Sequence, residues 1–298
     1  MCVREVKAGV PPLCAVLIVL ILAVATASPG AEYIFYPDIV YGGCDGCDEN
    51  LVSLDVYTPK ADGPSPVVVF IHGGSWQIGD KTRVGDKAVY FTENGFVFVS
   101  VNYRLSPEVI HPVHIQDVAR AVAWVYRNID EYGGDPDRFF LMGHSAGAHL
   151  AALATLDERR LAVEGLGPDI ISGVILLDGA GYDIPLLLSG AGRLYEKHFL
   201  PPFTDEPQVW RDASPMLHVE DDESPPPFLI IYVRDREESC VQAELLADRL
   251  TNVGGDVTLY HALEKNHITV NRALGDEGDE VTAAVHDFIE KTMDVKKD

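Results

Sequence analysis

After residue 30, short apolar runs alternate with amphipathic stretches to the end of the chain. The runs at 67–71, 96–101, 139–142, 171–177 and 228–233 are almost unbroken by polar residues, the pattern of strands covered on both faces. Residues 51–57 differ: Val52, Leu54 and Val56 alternate with Ser53, Asp55 and Tyr57, which predicts a strand with one face in water. With 33–40 it predicts an early antiparallel pair, and 257–260 completes the sheet. Helical spacing recurs at 113–129, 146–155, 241–252 and 280–292; in the first, Val118, Ala121, Val122, Val125 and Ile129 form one stripe. Gly134-Asp135-Pro136-Asp137 predicts the turn that feeds the third apolar run. Such alternation predicts an α/β protein, a mostly parallel central sheet with helices on both faces. Residues 182–223, rich in Leu, Pro and aromatics, interrupt the rhythm and predict a small cap insertion between two late strands.

The first thirty residues belong to another category. Arg4 and Lys7 precede an apolar run at 13–24, followed by Ala25-Thr26-Ala27, the layout of a signal peptide cut after Ala27. The run falls short of the roughly 20 residues that span a bilayer, so cleavage and secretion, or export to a periplasm, are expected; a membrane contact requires that the segment stay uncleaved. Cys2 and Cys14 leave with it, and 28–298 is expected to form a single domain. Among the remaining cysteines, Cys44 and Cys47 stand in a glycine-rich turn, where export favours a local disulfide. Cys240 is expected to pack as a small apolar side chain.

Composition narrows the partners. The 298 residues are 47% hydrophobic and 23% charged, as in a folded enzyme-sized chain. A formal net charge of -23, with no cluster of Lys and Arg, argues against a nucleic-acid partner and otherwise serves solubility.

Candidate chemistry begins at Gly143-His144-Ser145-Ala146-Gly147, set between the run 139–142 and an Ala-rich helix. A serine in that context occupies a sharp strand-to-helix turn and projects above the sheet edge, and the helix dipole favours charge developing there. Seventy-three positions earlier stands His72-Gly73-Gly74-Ser75-Trp76, also at the end of an apolar run. Backbone amides at Gly73, Gly74 and Ala146 are candidate donors to an oxyanion. Trp76 and His144 are placed to meet substrate, whereas His72, at a strand end, is expected to make structural hydrogen bonds. A serine hydroxyl needs a base, and the order serine, acid, histidine points to Asp235, the first carboxylate after 228–233, and to His267 on the loop before the last helix. Glu237 and Glu238 instead open a helix, where acidic residues meet the dipole. His149 and His261 are expected to pack, Asp117 to fix a loop, and His111 and His114 lack a third ligand. No metal and no cofactor are expected.

These motifs, together with Val101-Asn102-Tyr103-Arg104-Leu105, Gly133-Gly134-Asp135-Pro136-Asp137-Arg138 and Asn266-His267-Ile268-Thr269, resemble the α/β-hydrolase superfamily. The resemblance covers roughly residues 55–289 and lies within the HGG-bearing carboxylesterases, a group with hormone-sensitive-lipase-like esterases, kynurenine formamidases and bifunctional feruloyl and acetyl-xylan esterases. It implies the α/β-hydrolase fold, a triad of Ser145, Asp235 and His267, oxyanion donors at Gly73, Gly74 and Ala146, and hydrolysis of a small or sugar-linked ester. It leaves open an arylformamidase-type amidase, and a non-catalytic binding protein on the same fold is the remaining rival. The chain departs from the family in reading Tyr232-Val233-Arg234-Asp235 where a glycine usually stands shortly before the acid.

Overall fold

The computed structural model describes residues 33–61, 63–190, 193–221, 224–234 and 236–295, without the side chains of 190 and 193–196. The expected signal segment therefore lies outside the described residues. Eight strands form one sheet in the order β1-β2-β4-β3-β5-β6-β7-β8. They are β1 (Tyr33–Val40), β2 (Ser53–Pro59), β3 (Ser65–Ile71), β4 (Val97–Val101), β5 (Gly134–His144), β6 (Gly173–Leu177), β7 (Phe228–Val233) and β8 (Val257–Ala262). β1, β2 and β4 pair antiparallel, and every pairing from β4 through β3 to β8 is parallel.

The period-2 geometry of a strand sends successive side chains to opposite faces, and the two halves of the core divide along that line. Val67, Val69 and Ile71 join one apolar cluster and Val68 and Phe70 the other. On the first face lie helices α2 (Val113–Asn128), α3 (Ala146–Leu156) and α8 (Glu237–Asn252), and on the second α1 (Lys87–Glu93), α9 (Thr269–Arg272) and α10 (Glu280–Val295). Full burial of one such Val, Leu or Phe contributes about 1.5–3 kcal/mol, so continuous apolar runs are what a sheet covered twice requires. The remaining helices are α4 (Arg159–Ala162) and three in the insertion between β6 and β7: α5 (Ile184–Gly190), α6 (Arg193–Phe203) and α7 (Pro207–Asp212).

Two expectations need correction. β2 is buried along its whole length, polar positions included. Its alternation marks a buried ion pair instead of a wet face: the Lys81 ammonium lies 2.8 Å from the Asp55 carboxylate, each side chain 1% exposed. The turn expected at 134–137 is already strand, because Gly134 and Asp135 pair with Ser65 and Pro66 before a register shift. The reversal occurs one residue earlier, at Gly133, in a left-handed conformation with φ 80°.

Candidate active site

The groups of chemical interest sit where parallel strands end, at the carboxyl edge where open α/β sheets place their ligands. β5 delivers Ser145 into α3 with φ 55° and ψ -118°, a conformation that costs a non-glycine residue about 1–3 kcal/mol. It is held from both sides: the Ser145 amide donates to the Leu177 carbonyl of β6 (2.9 Å), and the Ser145 carbonyl accepts from His149 (3.1 Å). The helix can begin this close to the sheet only because residue 147 lacks a side chain; a Cβ there would collide with the Ile71 carbonyl oxygen. The amides of the first turn of α3, starting at Ala146, have no carbonyl one turn back to bind and are available to an anion.

β3 releases the loop carrying Gly73 and Gly74. Gly74 has φ 125°, and a Cβ would strike the Ile78 carbonyl, because the loop folds back so that Gln77 and Ile78 both donate to Gly74 (3.0 Å each). Gly73 lies against Ser145, with room for a Cβ only 3.0 Å from that of the serine. His72 plays a structural part: Nδ1 lies 2.8 Å from the Gly73 carbonyl and the ring stacks on Tyr103 at 4.5 Å. Burial lowers its pKa, so the ring is neutral.

The loop after β8 presents His267. Asn266 shapes it by accepting from the amides of Ile268 (3.0 Å) and Thr269 (2.9 Å) with its side-chain oxygen. His144 Nε2 donates to the His267 carbonyl at 2.8 Å. Burial, and after it the neighbouring His267, push the His144 pKa down to about 3, so His144 is a neutral prop. Nδ1 of His267 lies 2.5 Å from Oδ2 of Asp178, the residue directly after β6. The Asp178 side chain is fully buried, and the same oxygen accepts from Arg236 at 2.8 Å. Burial by itself would raise the Asp178 pKa, but the hydrogen bond from His267 and the Arg236 charge together hold it below the ordinary carboxylate value.

Ser145 and His267 line two adjoining clefts. One, about 330 Å³, is walled by Trp76, Ala180, Phe199 and Arg236. The other, about 240 Å³, opens between the Gly73–Gly74 loop and Ile268 and includes Arg83. Trp76 is 3% exposed and meets Phe199 and Phe203 edge-on at 5.2 and 4.7 Å, so the cap, through α6, closes over the first cleft.

The family model BD-FAE matches residues 54–169. The chain is 33% identical to the esterase LipQ of Mycobacterium tuberculosis over 85% of its own length and 61% of that protein. It is also 33% identical to a probable isoprenylcysteine alpha-carbonyl methylesterase of Arabidopsis thaliana, over 69% of this chain and 46% of that one. Among solved structures, a truncated carbohydrate esterase from gut microbiota superposes with a TM-score of 0.74 at 21% identity, covering 90% of this chain and 99% of that one. The chain shares the α/β-hydrolase fold of these esterases and is similar to them in sequence over most of its own length. It spans about half to three-fifths of the length of the curated relatives it matches.

Of the hydrolase residues expected from the sequence, Ser145, His267, Trp76, Ala146, Gly73, Gly74 and His144 converge on this edge. His144 lines the smaller cleft, yet its Nε2 is committed to the histidine loop. Asp235 lies outside the described residues. Asp178 was not anticipated, though a signal existed: a carboxylate ending a fully buried strand loses its hydration, which is tolerated only with a partner. Arg236 likewise escaped notice. His149, His111 and Asp117 make structural contacts: His149 Nε2 donates to Ala213 (2.7 Å), His111 pairs with Asp212 (2.8 Å), and Asp117 receives a two-pronged Arg104 (2.7 Å each). Cys44 and Cys47 form a disulfide, and Cys240 donates its thiol to the Val233 carbonyl. One trio, Asp157, Asp212 and His218, brings potential metal ligands within 4.8 Å. Its two carboxylates are already neutralised by Arg159 and Arg160, leaving them little to offer a cation.

Proposed function

We propose that this chain is a carboxylesterase that cleaves small acyl esters, sugar-linked ones included, through an acyl-enzyme on Ser145. The observation that carries the reading is Ser145 itself, held in a strained turn at the start of α3, beside the Gly73–Gly74 loop and in the same clefts as His267. In this mechanism Nε2 of His267 accepts the Ser145 proton as the oxygen attacks the acyl carbon, and the carbonyl oxygen takes the electron pair. The amides of Ala146, Gly73 and Gly74 bind that oxyanion; one such donor is worth about 10²–10³ in rate. His267 returns the proton to the departing alcohol, and a water activated by the same imidazole releases the acid.

The esterase relatives support the bond cleaved, and a cleft of about 330 Å³, at the low end for ligand sites, supports a short acyl group. The Cys44–Cys47 disulfide supports action outside the reducing cytosol. The test is turnover of p-nitrophenyl acetate: Ser145→Ala is expected to lower kcat by about 10⁴- to 10⁶-fold. A variant within tenfold of the parent ends the proposal. A panel of acetylated xylan, feruloyl esters, simple short-chain esters and N-formylkynurenine then assigns the acyl and alcohol groups.

A further inference from the structure

The sequence places the acid of this machinery after β7, whereas the carboxylate on His267 directly follows β6. We propose that Asp178 is the acid that orients His267, and that Arg236, supplied by the turn after β7, is the positioning residue that holds this carboxylate in place.

The argument starts with the proton. Nδ1 of His267 has two neighbours, Asp178 Oδ2 at 2.5 Å and Arg236 Nη1 at 2.7 Å. A guanidinium only donates. If Nδ1 accepted from Arg236, its lone pair would face a buried carboxylate oxygen at 2.5 Å, two acceptors in contact in a low dielectric. The proton therefore sits on Nδ1 and points to Asp178. This tautomer leaves the Nε2 lone pair for the serine hydroxyl, as a general base requires. Arg236 Nη1 satisfies itself on Asp178 instead, with Oδ2 at 2.8 Å and the backbone carbonyl at 3.2 Å.

Topology makes the arrangement stable. β6 lies between the strand of the nucleophile and β7. The Leu177 carbonyl accepts from the Ser145 amide at 2.9 Å, and the next residue, Asp178, donates its amide to Ile231 of β7 at 2.7 Å. Nucleophile and acid are thus set by consecutive residues at the end of one strand, Leu177 bound to the β5 side and Asp178 to the β7 side. Asp178 takes φ 44°, a left-handed turn that lifts it out of strand geometry where β6 ends. Asp178 touches neither substrate nor the reacting oxygen and acts through His267.

The inference rests on the serine-esterase reading, and the experiment separates the two. In protein labelled with ¹⁵N-histidine, the Nδ1 proton of His267 is expected as a far-downfield resonance, assigned by its loss in His267→Gln. It is expected to persist in Ser145→Ala, where activity is gone, and in Asp235→Asn, and to vanish in Asp178→Asn. In parallel, Asp178→Asn is expected to lower kcat on p-nitrophenyl acetate by about 10⁴-fold with KM within roughly threefold, the loss seen when an amide fixes the wrong tautomer. Asp235→Asn is expected to keep kcat within about threefold. Loss of the resonance in Asp235→Asn, or an Asp178→Asn variant within tenfold of the parent, overturns the assignment. If Asp178→Asn fails to fold, Asp235→Asn decides: retention of activity and resonance supports Asp178, and loss of either refutes it. Ester turnover that survives Ser145→Ala would sink the esterase reading alone, since the resonance does not depend on activity.

Discussion

The two halves of the site are built by different means. On the Ser145 side, position is written in the backbone: Ser145 is fixed by its own φ and ψ, by two main-chain hydrogen bonds and by a helix pressed against β3. The side chains that flank it, His144 and His149, are buried and neutral. On the base side, position is written in charge: a buried carboxylate, a guanidinium and an imidazole meet from the ends of β6, β7 and β8. Backbone construction is short-range and rigid, whereas charge construction lets elements distant in sequence meet at one point. Substitution should therefore break the first by sterics and the second by electrostatics.

Gly147→Ala tests the first half most severely. Its methyl group would overlap the Ile71 carbonyl, and relief requires α3 to retreat from the sheet, carrying Ser145 with it. We expect a loss of about 3 kcal/mol or more in urea unfolding, together with ester turnover reduced at least about 100-fold, because displacements near 1 Å cost that much. A variant as stable as its parent would show that the close approach is not required.

Arg236→Met tests the second half. It leaves Asp178 buried without its cation, but Arg236 is itself 24% exposed and water can screen part of the loss. Allowing for that, we expect about 2 kcal/mol of destabilisation, or roughly 4–8 °C in Tm. Arg236→Lys should recover part of it, whereas a charge-independent fold would treat both variants alike.

Per pH unit, the smallest effect is a pH dependence. His114, His144 and His149 have pKa values lowered by burial from 6.5 to about 3. The unfolded chain takes up these protons near 6.5 and the folded one does not until about 3, so stability falls as pH falls through that window. Each histidine contributes at most about 1.4 kcal/mol per pH unit. The lowered carboxylates of Asp178 and Asp212 add to the loss only further down, because their stabilisation is present above the ordinary Asp value and disappears toward their folded pKa. Urea midpoints measured from pH 7 to 4 should decline steeply, and His149→Gln should make the decline shallower by one histidine's share, at most about 1.4 kcal/mol per pH unit. A flat profile would mean that these rings are hydrated in solution.

The same division explains what could be read from the chain in advance. The strands at 67–71 and 228–233, helix α2, the strand-to-helix turn at Ser145 and the glycine loop all follow from residues close together in sequence, the first three read from periodicity and the last two from local motifs. The polar stripe of β2 misled because alternation reports chemistry and not exposure: Asp55 is inside, and its partner Lys81 lies 26 positions on. Asp178 was missed for a related reason. A motif order counts carboxylates along the chain, but the pairing with His267 spans 89 positions and depends on which strand lies beside which. The ring contacts of Trp76 with Phe199 and Phe203 were equally out of reach, since the insertion shows no regular period.

The insertion between β6 and β7 supplies walls to the larger cleft, through His198 and Phe199, while Ser145, His267, Asp178 and the glycine loop all belong to the sheet edge beneath it. A roof of another shape in place of α5 to α7 should therefore change which molecules reach the cleft, provided it still packs on Trp76 and His149.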